Sequence, residues 1–152
     1  MKRKSIFWRI FALCLAVILT VPTYASAAVI IPDETQGNDY VDSYQVNITP
    51  VGGGKVKVKF SITGVDVMDD IGAIKILIYE SSDLTNWDHV MTYDHRGVSY
   101  THLMSHDRRT YSSSITHPGK AGKYYKAYII LWVQKDGSGT SKYKWLDPIR
   151  AY

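Results

Sequence analysis

Apolar and polar residues alternate with a period of two along much of this chain, the pattern of strands that bury one face. Residues 55–63 are the cleanest case, with Val56, Val58, Phe60 and Ile62 set against Lys55, Lys57, Lys59 and Ser61. That is a strand with one wet face. Residues 124–134 give the longest run: Tyr125, Ala127, Ile129, Leu131 and Val133 fall on one side, and Tyr124, Lys126, Tyr128, Ile130, Trp132 and Gln134 on the other. Its β-branched and aromatic content, bounded by Gly119, Gly122 and Gly137, favours strand over a buried helix. Further strands are expected over 40–49 (Tyr44, Val46 and Ile48 inward, ending at Pro50), 73–79 (Ile74, Ile76, Ile78), 87–93 and 111–116. An acidic turn is expected at 66–72. Residues 94–110 read either as another strand or as an irregular crossover.

After the long run, Tyr143 and Trp145 alternate with Lys142 and Lys144. If Tyr143 and Trp145 point inward beside Leu131 and Val133, the intervening loop must hold an odd number of residues. Gly137-Ser138-Gly139 supplies three, with Gly139 in the left-handed conformation of a bulge-closed turn. A two-residue Asp136-Gly137 turn would exchange the faces and bury lysines.

The first 27 residues read as an export signal: a basic start (Lys2, Arg3, Lys4, Arg9), an apolar stretch over 10–21, and an Ala25-Ser26-Ala27 cleavage site. The apolar stretch is too short for a spanning helix, so no membrane span is expected after cleavage. Residues 28–39 read as a flexible spacer and 40–152 as one domain. The whole chain of 152 residues has 18 Lys+Arg against 14 Asp+Glu. Taking the leader's four basic residues from 18 leaves 14, so residues 28–152 are formally neutral and give no reason to expect a nucleic-acid partner. The single cysteine, Cys14, lies in the leader, so the remainder is disulfide-free and is held by packing alone.

About seven short strands separated by turn signals predict an all-β fold, a two-sheet antiparallel β-sandwich. The Pro118-Gly119 turn leading into Tyr124-Tyr125 and the alternating Tyr-x-Ala-x-Ile-x-Leu that follows resemble the sixth strand of fibronectin type III and related immunoglobulin-like domains. In that family a tyrosine near the start of this strand bonds back to the preceding turn. The resemblance implies that role for Tyr125. The turn is longer than the family's, and no tryptophan stands at its usual core position in the second strand.

No nucleophile elbow, ordered triad or cofactor motif is present, and no catalytic residue is assigned. His89, His95, His102, His106 and His117 crowd one part of the chain. His102 and His106 have the four-residue spacing of a helical metal pair, but the segment does not favour a helix. On a strand their rings would stand roughly 13 Å apart at about 3.3 Å per residue, too far for one zinc ion. The histidines are therefore read as surface residues in polar loops, with a metal-binding or small-enzyme role as the second alternative. Ser81-x-Asp83-x-x-x-Trp87 is similar to the Asp-box turn, and to hairpins of carbohydrate-binding sandwiches, but lacks the box's glycine. A turn closed by Asp83 and Asn86 accounts for it. The candidate binding residues are Trp87, as a sugar platform, and Tyr128, Ile130 and Trp132, as an exposed outward stripe. The expected function is that of a secreted, non-catalytic binding module for a protein, cell-surface or glycan partner, with a carbohydrate-binding module built on Trp87 and neighbouring tyrosines as the first alternative.

Overall fold

The computed structural model describes residues 40–152, and the leader and spacer lie outside the described residues. Six strands form one antiparallel sheet: β1 (Val41–Gly52), β2 (Lys55–Ser81), β3 (Asp88–Asp94), β4 (Met104–His117), β5 (Tyr124–Lys135) and β6 (Ser138–Arg150). A single 3-10 turn, Thr101–Leu103, precedes β4.

β2 is the axis of the fold. Along one edge it pairs first with β1 and then with β5; along the other it pairs first with β4 and then with β3. At about 3.3 Å per residue, a straight strand of 27 residues would run roughly 90 Å. It curls instead, with register shifts between Thr63 and Met68 against β4 and between Ala73 and Lys75 against β5. The curl brings β1 and β6 together, and the Gly54 N–H donates to the Tyr152 carbonyl at 2.9 Å. The result is a curled half-barrel of one continuous sheet, not the expected pair of stacked sheets.

The acidic turn expected at 66–72 is likewise extended backbone within β2. Its acids are used across strands: Asp69 Oδ2 accepts the Asp136 N–H at 2.7 Å, Asp66 pairs with Lys135, and Asp70 pairs with His106. Residues 95–100 form turns, and the expected strand at 111–116 is the end of the longer β4.

The inward alternation holds over 55–63 and along β5, but Ile74, expected inward with Ile76 and Ile78, falls in the register shift between Ala73 and Lys75, is half-buried and lines a cleft instead. Val56, Val58, Phe60, Ile62, Met68, Ile71, Ala73, Ile76 and Ile78 of β2 are all at most 1% exposed, as are Tyr125, Ala127, Ile129, Leu131 and Val133 of β5. Tyr44, expected inside, is 37% exposed near the start of β1. The Tyr125 hydroxyl accepts the Lys120 N–H at 2.8 Å, tying β5 to the turn before it, and donates to Glu80 Oε2 at 2.6 Å. A side chain at Gly119 would strike the Tyr125 ring and the Gly54 carbonyl.

The β5–β6 connection departs from expectation. Lys135 pairs with Ser138 across a two-residue Asp136-Gly137 turn, in which both residues have positive φ (52° and 76°). Asp-Gly is favoured where both central residues need that conformation. Tyr143 and Trp145 therefore stand opposite Ile130 and Tyr128 on the outer face. The objection that lysines would be buried fails because β6 lies at the end of the sheet: Lys144 is exposed and Lys142 half-buried.

Candidate functional site

The outer face of the sheet between Asp70 and Ser81 carries two adjoining features. Cross-strand register builds both. Outward positions on β2 (Asp70, Gly72, Lys75, Leu77, Tyr79) lie beside Gln134, Trp132, Ile130, Tyr128 and Lys126 of β5. These in turn face Gly139, Ser141, Tyr143 and Trp145 of β6.

The first feature is an aromatic cluster around Lys126. Its ammonium lies 4.4 Å from the centroid of Trp87, 5.0 Å from that of Trp145 and 5.9 Å from that of Tyr79. Tyr128 packs against Trp145 at 4.8 Å between centroids and stacks on Tyr143 at 6.3 Å. Tyr79 meets Trp145 and His89, each at 5.3 Å. Burial raises the pKa of the Tyr79 and Tyr128 phenols, keeping both neutral hydrogen-bonding groups. Trp87 is placed by the turn before it. Asp83 Oδ1 accepts the Thr85 and Asn86 N–H groups at 2.8 and 2.9 Å, Asn86 Nδ2 donates to Asp83 Oδ2 at 2.9 Å, and Trp87 Nε1 donates to the Leu84 carbonyl at 3.1 Å. These bonds hold the Asp83 carboxyl far below its ordinary range. The turn closes through Asp83 and Asn86 as the sequence predicts.

The second feature is a cleft of about 490 Å³ lined by Asp70, Ile74, His95, Thr101, Met104, His106, Trp132 and Gln134. Gly72 lies beside it, paired with Trp132 on one side and Met104 on the other, and a side chain there would strike the Leu103 carbonyl and the Met104 backbone, so the glycine permits the close approach of the segment that carries Thr101 and Met104. One pair further along, Asp70 stands between His106 and Gln134, and its Oδ1 lies 2.6 Å from His106 Nδ1. His95 Nδ1 lies 3.1 Å from the Ile74 carbonyl, which fixes its ring. The neighbouring Asp94 is occupied by Arg96 at 2.9 Å and Lys75 at 3.7 Å, and the Arg96 hydrogen bond holds its carboxyl well below the usual range.

The four candidate residues thus separate. Tyr128 is 3% exposed, covered by Tyr143 and Trp145, so the expected bare stripe does not exist there. Ile130 is half-buried opposite Tyr143. Trp132 is half-buried with its ring laid over Gly139, and walls the cleft. Trp87 is half-buried and joins Tyr128's cluster through Lys126 and Trp145. The histidines divide too. His95 and His106 line the cleft, whereas His117, expected at the surface, is 8% exposed on the inner side, its Nδ1 3.0 Å from the Tyr93 hydroxyl. Among the described residues, no group of three His, Cys, Asp or Glu side chains is arranged to hold a metal ion. Sequence reasoning missed Trp145, Tyr143 and the Asp70–His106 pair. The Asp136-Gly137 dipeptide was the available signal for the first two.

No family model and no curated protein sequence matches this chain. Among solved structures it is similar to a family 76 glycoside hydrolase from a bovine Bacteroides thetaiotaomicron strain, at 16% identity and a TM-score of 0.31, over 71% of this chain and 20% of that one. It is also similar to a chain in a structure addressing T cell specificity and activation by the bacterial superantigen toxic shock syndrome toxin-1, at 17% identity and a TM-score of 0.33, over 72% of this chain and 98% of that one. The chain spans only a fifth of the hydrolase's length, and at these scores neither likeness bears on function. The fold itself defines the class: an all-β protein built on one antiparallel sheet.

Proposed function

We propose that this chain is an exported, non-catalytic binding module whose ligand is a carbohydrate, held in the cleft walled by Trp132. The observation that carries this reading is the convergence, around one open space, of a tryptophan ring, a carboxylate hydrogen-bonded to an imidazole, a primary amide and a hydroxyl: Trp132, Asp70 with His106, Gln134 and Thr101. A sugar ring has an apolar C–H face and a polar rim. An aromatic wall meets the first, while a few fixed polar groups meet the second and set orientation. The volume lies within the range of small-ligand sites, about 300–1,000 Å³.

The non-catalytic reading rests on the lining. Glycoside hydrolysis ordinarily needs two carboxyl groups flanking the bond, and Asp70 is the one carboxylate among the residues that line the cleft. Export is supported by the leader pattern of residues 1–27. The tether from Tyr125 to the preceding turn supports a relationship to fibronectin type III-like domains, and the unbroken sheet counts against it.

Glycan-array screening followed by calorimetric titration tests the proposal. A bound glycan is expected whose affinity falls at least about tenfold in Asp70→Asn and in Trp132→Ala, the scale of one lost charged hydrogen bond or aromatic contact. A protein that binds no glycan, or whose glycan affinity ignores both substitutions, overturns it.

A further inference from the structure

We propose a second site: the outer face formed by β1, β4 and the first part of β2 binds a linear, hydroxylated polyanion, a chain of sugars or polyols bearing repeated carboxylate, sulfate or phosphate groups. Four rows of side chains build this face. Lys57 lies between Thr49 and Thr116, Lys59 between Asn47 and Ser114, Ser61 between Gln45 and Ser112, and Thr63 between Ser43 and Thr110. Lys55, two residues before Lys57, extends the lysine line to three.

None of these positions is acidic, and Asp42 enters only in the bulge at the far end. Ion pairs among the described residues use Lys75, Lys120 and Lys135 but none of Lys55, Lys57 and Lys59. The local field is therefore positive in a chain whose residues 28–152 are formally neutral. Successive lysines on one side of a strand stand about 6.5–7 Å apart, twice the rise per residue. They form a straight rail suited to charges repeated along an extended chain.

The flanking groups define the rest of the ligand. Ser112 Oγ donates to Ser61 Oγ at 2.8 Å and the Thr63 and Thr110 hydroxyls lie 3.2 Å apart, so the far rows bond to themselves. Beside the lysines, the side chains of Thr49, Asn47, Ser114 and Thr116 make no hydrogen bond among the described residues and are available to hydroxyls or anionic oxygens. A shallow groove of about 530 Å³ runs along Gln45, Asn47, Lys59, Ser61 and Ser112, with Val46 and the buried Phe60 also bordering it. The four rows contain no aromatic ring, so single-stranded nucleic acid finds no stacking platform. They contain no large apolar side chain, so the face has nothing to insert into a membrane.

Titration of the full chain with polygalacturonate, a sulfated glycan, poly(glycerol phosphate) and a single-stranded oligonucleotide, at 50 and 200 mM salt, tests the site. At least one of the first three should bind and weaken severalfold at the higher salt, as screening requires; which one binds names the anion. The paired substitution Lys57→Gln with Lys59→Gln should lower that affinity at least tenfold with an unchanged melting temperature. Lys123→Gln with Lys144→Gln, the same charge loss elsewhere, should change it less than twofold, and Trp132→Ala should leave it intact, which separates this site from the cleft. The inference is overturned if none of the three polymers binds, if the control pair costs as much, or if the oligonucleotide binds as tightly.

Discussion

The two ends of β2 share an inner face and have opposite outer ones. Residues 55–63 bury Val56, Val58, Phe60 and Ile62 and show lysines and hydroxyls to solvent. Residues 70–81 bury Ile71, Ala73, Ile76 and Ile78, yet their outer side carries Tyr79 and Leu77 beside aromatic side chains from β5 and β6, and Asp70 and Ile74 at the cleft. The cause is the neighbour. Next to the first part run β1 and β4, whose outward positions are Thr, Asn, Ser and Gln; next to the second runs β5, with aromatic side chains on both faces. Specificity in such a sheet is thus written by the flanking strands, while the central strand supplies a continuous hydrophobic floor.

The largest effects should be blind to this contrast. Phe60→Ala in the first part should cost about 3–5 kcal/mol and Ile76→Ala in the second about 2–5 kcal/mol, the usual range for large buried side chains. Urea denaturation reads both, and a cheap truncation at either position would break the claim of one shared core. A sharper contrast is expected on the outside. Gly139→Val would place its Cβ within the Trp132 ring and should cost about 1–3 kcal/mol by overpacking. Lys59→Val, an equally apolar change on the outer side of the first part, should stay within about 0.5 kcal/mol. Trp145→Ala, which uncovers Tyr128 and removes a ring from around Lys126, should cost on the order of 1–2 kcal/mol. Lys57→Gln should again be silent by the same denaturation measurement.

The smallest expected effect lies at the seam between the two parts. His117 is opposite Val56 on β4, and its ring meets the Tyr93 hydroxyl from β3. Burial lowers its pKa below the ordinary 6.5, only partly opposed by the Glu80 charge. The unfolded chain therefore takes up a proton before the folded one does. Stability attached to this group is full above about pH 6.5 and is lost as pH falls from there through the folded-state value. Melting temperatures at pH 7.5 and 5.5 should diverge more for the unaltered protein than for His117→Gln. Equal slopes would show that the buried imidazole does not govern this window.

How far the sequence was legible follows from the range of the forces involved. Alternation revealed the inner faces of 55–63 and of β5, because one buried face imposes a period of two whatever the partner strand, while the tether of Tyr125 was implied by the resemblance to fibronectin type III domains. The Asp83 turn was readable because its bonds span three residues. The β5–β6 turn differs from the expected one for a general reason: aromatic residues need not seek the inner face where a second apolar layer exists, and Tyr143 and Trp145 join such a layer with Tyr128. The extended path through 66–72 was hidden because its acids are matched by Lys135, Asp136 and His106, none of them near in sequence.

By itself, then, the sequence determined most of the strands and, for 55–63 and for β5, the side that is buried and the chemistry available on the other side, since these are set by local alternation and composition. Only the tertiary structure decided that the strands form one curled sheet, that Trp132 and Met104 wall one cleft, and that Asp70 meets His106, 36 residues further along the chain. Those outcomes depend on register and curvature. Both are fixed by bulges and by which edges pair, and neither leaves a periodic mark along the chain.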